Sequence, residues 1–146
     1  MNTNVIATHT ETTVLQFLEA AAALERKLDR ALSSTRGISF SEYRLLRTLA
    51  TARTGGFSRI DLADAVGLTA SAVTRALKPL EKLGYVTTER NERDARQSLA
   101  TITAGGLELF DDAQSVLLDT LGGLPINTLS AQKVAEFQGR LSEFGK

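Results

Sequence analysis

Between Leu68 and Ile102 the spacing of apolar and polar positions changes period once, and the change separates two kinds of element. Val73, Ala76, Leu77 and Leu80 fall at i, i+3, i+4 and i+7, the spacing of one helix face. Ser71, Thr74, Arg75 and Lys78 fall at the same spacing on the nearly opposite face. The first stripe is a core face. The second holds short hydroxyls and long cations and no carboxylate, with the small Ala70 and Ala72 beside it, so nothing on it repels a phosphate or blocks a base edge. Thr69 is the expected N-cap and Gly84 the expected left-handed stop after Leu83. Pro79 removes the amide that would bond the Arg75 carbonyl, which predicts a bend. Beyond Gly84 the period becomes extended. Tyr85–Arg90 and Gln97–Ile102 read as two strands, joined by a connector, Asn91–Arg96, that is polar apart from Ala95.

The rest of the pattern is mostly helical. Met1–Thr10 has no periodicity and reads as an irregular leader, while Thr12–Leu32 reads as a long helix striped by Val14, Phe17, Leu18, Ala21, Leu24 and Leu28. Ser33–Gly37 is expected to break it. Ser39 with Glu42 fits a capping box opening a helix to about Arg53. Gly55-Gly56 is a turn, and Phe57 is placed to add a short third strand. Ser58 caps a short helix, Arg59–Val66, with Ile60, Leu62, Ala63 and Val66 expected inward. Gly67-Leu68 is the tight turn of a helix-turn-helix, and the hairpin that follows makes it a winged helix. Thr103 caps a further helix through Leu107, Phe110, Ala113, Leu117 and Leu121, whose first turn Gly105 and Gly106 should weaken. Ser130 opens the last helix, striped by Val134, Phe137, Leu141 and Phe144.

The first and the last two helices are not needed to complete a winged helix. Their apolar faces must be buried somewhere, and packing on each other and on a second copy is the economical solution. Val14, Leu18, Leu117, Leu121, Phe137, Leu141 and Phe144 are therefore the candidate dimerisation residues.

Composition narrows the function. The chain has 146 residues, the length of one domain or of one domain plus an interface, and no cysteine, which removes disulfides, thiol sensing and Cys-based metal sites. No apolar run is long enough to span a membrane and no secretory signal is visible, so a cytoplasmic location is expected. An enzyme is disfavoured. The only histidine, His9, lies in the Thr-rich leader, no Gly-rich phosphate loop follows a strand, and the adjacent Asp111 and Asp112 diverge on a helix. No cofactor is expected. Net charge is zero, but it is segregated: residues 36–96 carry 11 Lys/Arg against 7 Asp/Glu, and the remainder 6 against 10. Nucleic-acid binding depends on such a local patch rather than on the sum.

The chain resembles the MarR (multiple antibiotic resistance regulator) family. The residues that carry the likeness are Leu62-Ala63, Leu68, Ser71, Val73-Thr74-Arg75, Leu80-Glu81, Gly84, Val86, Arg93-Asp94-x-Arg96, Ile102-Thr103 and Gly106. The resemblance implies a mainly α fold with a small β-hairpin: a winged helix-turn-helix core over about 36–102, flanked by dimerisation helices over about 11–34 and 103–146, in one unit spanning 1–146. It implies a homodimer on a pseudo-palindromic double-stranded DNA operator, acting as a repressor released by a small, often aromatic or anionic effector. For such a ligand it implies a cleft between the winged helix and the end helices, lined by residues such as Phe17, Tyr43 and Phe57. Two departures stand out: Asn91 replaces the Asp that often opens the wing, and Ser98 and Ala100 replace larger apolar residues, which predicts a looser wing.

The expected DNA-binding set is Thr69, Ala70, Ser71, Thr74, Arg75 and Lys78 on the helix and Arg93 and Arg96 on the wing, with Arg36 and Arg59 as further phosphate contacts. Asp94 carries the wrong charge for DNA and is read as a wing support that orients an arginine. The competing reading is a winged-helix protein–protein module whose basic face is an ordinary solvated surface.

Overall fold

The caps expected from the sequence are all made, and they set the helix starts. The hydroxyls of Ser39, Ser58, Thr69, Thr103 and Ser130 accept the amides of Glu42, Asp61, Ala72, Gly106 and Lys133, each three residues on. In the computed structural model, which describes residues 3–52, 55–94 and 96–145, the elements run α1 (Thr3–Arg36), α2 (Phe40–Thr51), β1 (Phe57–Ser58), α3 (Arg59–Val66), α4 (Ala70–Lys82), β2 (Val86–Arg90), β3 (Ser98–Ile102), α5 (Ala104–Gly122) and α6 (Ala131–Phe144), with a short 3₁₀ turn at Pro125–Thr128. The fold is mainly helical with a small antiparallel sheet, as the pattern implied. The end of α2 expected at Arg53 lies outside the described residues; the helix closes at Thr51.

Three expectations are corrected. The stretch up to Thr10, read as an irregular leader, is helical from Thr3, and α1 runs through Ser33–Arg36 instead of breaking there. Its described side chains from Asn4 to Thr13 are all exposed, so this part of the helix rests on backbone bonding and leaves no apolar stripe to read. Ile60, expected inward, is 62% exposed. In so short a helix, apolar residues occur on more than one face, and the packing of α2 and α4 decides which is buried.

The core lies between α2, α3 and α4 and is closed by the sheet and by α5. Leu32, Leu45, Leu46, Leu49, Leu62, Val73, Leu77, Leu80 and Val86 are fully buried there, each contributing about 1.5–3 kcal/mol by leaving water. The sheet order is β1-β3-β2. Val86 faces Ile102 and Arg90 faces Ser98 across β2–β3, while Phe57 faces Ala100 across β1–β3. The third strand expected at Phe57 is therefore present.

Gly106, expected to weaken the start of α5, is required there. A Cβ on it would sit 2.1 Å from the Tyr85 carbonyl oxygen and 2.7 Å from Ile102 Cγ1. This contact seats α5 on the base of the hairpin, where the Thr103 hydroxyl also donates to the Gly84 carbonyl at 2.7 Å.

Candidate nucleic-acid interface

The turn into α4 depends on Gly67, whose left-handed backbone (φ 67°) lets Leu68 N–H reach back to the Ala63 carbonyl at 3.0 Å. The Thr69 cap follows at once, so α4 starts at a defined angle to α3. Val73, Leu77 and Leu80 anchor its inner face, and the helix continues through Pro79. Ala70, Ser71, Arg75 and Lys78 remain exposed on the outer face, with no acidic residue in the first turn. The positive end of the helix dipole and the two cations thus act on an approaching phosphate in the same sense. The Thr69 hydroxyl accepts the cap bond from Ala72 N–H at 3.1 Å, which uses an oxygen lone pair and not its O–H donor.

Thr74 behaves differently from its neighbours. It is half-buried; its hydroxyl donates to the Ala70 carbonyl and accepts from Arg59 Nε, both at 3.1 Å. Arg59 in turn donates from its Nη1 to Ser98 Oγ at 2.6 Å and pairs through Nη2 with Glu81 at 3.6 Å. Thr88 donates to the same Glu81 carboxylate. Sequence reasoning placed Arg59 among phosphate contacts; the structure shows it joined to α4 and β3. Its partners lie 15 to 39 residues away, and no local signal announces them.

The wing is pre-formed. Asn91 N–H donates to the Gln97 carbonyl at 2.9 Å and Gln97 N–H to the Asp94 carbonyl at 3.0 Å. The side chains of Asn91 and Asp94 accept the amides of Arg93 and Arg96, each at 3.0 Å. Asp94 thus holds the Arg96 backbone, and Asn91 does the equivalent for Arg93. Both arginines project exposed from this frame. Among the described residues, none of Arg75, Lys78, Arg93 and Arg96 enters an ion pair. A small cleft of about 140 Å³, lined by Ser58, Arg59, Ile60, Arg96, Gln97 and Ser98, brings the wing's Arg96 beside the start of α3. Arg36 is exposed in the last turn of α1, without an ion pair among the described residues.

The residues expected to line an effector cleft are not brought together. Phe17 stacks on Phe144 at 5.1 Å and lines an apolar groove of about 490 Å³ with Ala21, Leu24, Ile126, Phe137 and Leu141. Tyr43 lies between Phe40 and Phe110 and lines a separate cleft of about 360 Å³ with Leu28, Arg44, Arg47, Gln114 and Leu121. Burial pushes the Tyr43 hydroxyl above its ordinary pKa, opposed by the Arg47 charge and a hydrogen bond with Gln114. Phe57 packs against the core from β1.

Of the expected dimerisation residues, Val14, Leu117 and Leu121 are half-buried within the chain, while Leu18, Phe137, Leu141 and Phe144 are exposed. No group of three or more His, Asp or Glu among the described residues is placed to hold a metal ion. No helix among them is long and apolar enough to cross a membrane.

Residues 36–97 match the sequence model of the MarR family. The structure of Sco3205, a MarR family transcriptional regulator from Streptomyces coelicolor solved in complex with DNA, is 25% identical and superimposes with a TM-score of 0.85 over 92% of this chain and 85% of that one. AbsC, a MarR family regulator from the same organism, is 21% identical with a TM-score of 0.81 over 92% of this chain and 90% of that one. The MepR–DNA complex of S. aureus is 20% identical with a TM-score of 0.79, covering 90% and 94%. No curated protein matches the chain.

Proposed function

We propose that this chain, matched to the sequence model of the MarR family over residues 36–97 and sharing the fold of MarR family regulators along nearly its whole length, is a MarR-type sequence-specific, double-stranded-DNA-binding transcriptional regulator. It acts as a homodimer on a pseudo-palindromic operator, as a repressor. One observation carries the reading. Arg75, Lys78, Arg93 and Arg96 are exposed on the helix and hairpin of a winged helix, and none of them is neutralised by a carboxylate among the described residues. In this reading α4 lies in the major groove, where Ser71 and Arg75 reach base edges and Lys78 reaches phosphate, while Arg96 enters the neighbouring minor groove. Dimerisation through α1, α5 and α6 covers the apolar groove around Phe17, Phe137 and Leu141.

The effector belongs in the cleft around Tyr43. It lies between α2 of the DNA-binding core and the end helices, has apolar walls from Leu28 and Leu121, and presents Arg44 and Arg47. A small aromatic anion fits that chemistry. Selection of bound sequences from random duplex DNA tests the main reading, with an enriched inverted repeat as the expected result. Enrichment of no sequence, with salt-insensitive retention, would favour the protein–protein module instead.

A further inference from the structure

We propose that Arg59 is a positioning residue that sets the angle between the recognition helix α4 and the wing β2–β3. This rests on the DNA-binding reading above and assigns a residue within it. The guanidinium makes three separate connections: Nε to Thr74 on α4, Nη1 to Ser98 on β3, and Nη2 to Glu81 near the end of α4. Glu81 extends the chain to Thr88 on β2. One side chain on α3 therefore ties the recognition helix to both strands of the hairpin.

The link between α4 and β2 turns at Gly84, whose φ is 80°, and its hydrogen bonds, Gly84 N–H to the Glu81 carbonyl and Tyr85 N–H to the Leu80 carbonyl, hold only the base of the hairpin. A hairpin pivoting there would move Arg96 relative to Arg75, and the two must reach adjacent grooves at once. The planar guanidinium fork suits the task, because its donors leave in fixed directions and three acceptors over-determine its position. Arg59 is also a poor candidate for a free phosphate ligand. Its side chain is 29% exposed and its charge already faces Glu81. Ser98, whose small size predicted a looser wing, supplies the acceptor that holds the wing. Thr74, expected to face DNA with a free hydroxyl, is the anchor on the helix.

The test uses the full-length protein and two readouts. The chain has no cysteine, so Lys82→Cys with Glu92→Cys places one spin label on the end of α4 and one at the wing tip, and singly labelled proteins supply the inter-subunit distances. The parent should give a narrow helix-to-wing distribution. Arg59→Met should broaden or displace it, and Arg59→Lys should do the same, because an ammonium's three donors leave a single nitrogen and do not span acceptors spaced for the three separate nitrogens of a guanidinium. Ser98→Ala, which removes only the wing-side acceptor, should broaden it less and covers the case in which Arg59→Met folds poorly.

The second readout is a double-mutant cycle on a selected operator. Arg59→Met should weaken binding roughly tenfold and should remove most of the further loss caused by Arg96→Ala, since a displaced wing no longer delivers Arg96. A merely structural arginine would lower the melting temperature and leave both readouts unchanged. The proposal is overturned if the variants keep the parent's distance distribution, or if Arg96→Ala costs the same in the Arg59→Met background as in the parent. If the parent binds no duplex at all, the functional reading fails, and the distance measurement still decides whether Arg59 positions the wing.

Discussion

Helix and wing should fail differently when their arginines are removed. Arg75 and Arg96 are both exposed and neither has an ion-pair partner among the described residues, so truncating either to alanine leaves nothing unpaired and should hardly change the melting temperature. Arg75 lies one turn after Ser71 on the α4 face that carries no acid. A bidentate base contact from it is worth about 1–3 kcal/mol, or about 2–6 kcal/mol over the two half-sites of a dimer. Arg75→Ala should therefore weaken operator binding by roughly 30-fold or more and relax preference at particular base pairs. Arg96 is held at the wing tip through its backbone, and the contact proposed for it is to phosphate or the minor-groove wall. Losing one phosphate contact per subunit lowers the slope of log affinity against log salt by about 0.9 for each, so by about 1.8 per dimer. Between about 50 and 200 mM salt that slope change alters the fall in affinity by roughly tenfold, well within the range of a titration. The assay is affinity for a selected operator and for a scrambled duplex, each at several salt concentrations. Arg75→Ala should narrow the gap between the two duplexes. Arg96→Ala should lower both affinities in parallel and flatten both salt lines. If Arg96→Ala follows the parent on both duplexes across the series, the wing does not touch DNA and the docking proposed for this fold is wrong.

Other perturbations test the packing and the electrostatics. Gly106→Ala places a methyl against the Tyr85 carbonyl oxygen and Ile102, and should cost about 1–3 kcal/mol or more in chemical denaturation; an unchanged midpoint would show that α5 sits elsewhere. Leu141→Glu puts a carboxylate into the apolar groove at a cost of at least about 2 kcal/mol per copy, so sedimentation should show dissociation; a stable folded parent monomer at micromolar concentration would remove the dimer from the account. Burial, with a smaller push from the Asp29 charge, raises the Glu42 carboxyl above its ordinary pKa, against the hydrogen bonds from Ser39. Folding therefore favours the protonated form: the penalty is absent below the ordinary carboxylate range and develops as pH rises through the raised value. Glu42→Gln should match the parent in acid and exceed it in stability near pH 7, read by urea denaturation at several pH values; a variant no more stable at pH 7 than in acid, relative to the parent, would count against it.

What the sequence alone determined here is what depends on neighbours a few residues apart. The five N-caps follow from a hydroxyl and an amide three positions on, a relation with no tertiary content. The two stripes of α4 follow from helical period, which is why its inner face, Val73, Leu77 and Leu80, and its exposed cations, Arg75 and Lys78, were legible before any fold was known. The strands, the turn at Gly67 and the likeness to a family rest on the same local signals. The tertiary structure decided whatever needs a partner from elsewhere in the chain. Ile60 points outward because α2 and α4 take the other side of α3. Gly106 is indispensable because the Tyr85 carbonyl, about twenty residues earlier, comes within a methyl's reach. Thr74 is an anchor rather than a free hydroxyl because Arg59, fifteen residues away, arrives beside it, and Ser98 holds the wing for the same reason. The N-terminal turns of α1 were illegible for the opposite cause: they bury none of their described side chains against the chain, so no period marks them as a helix.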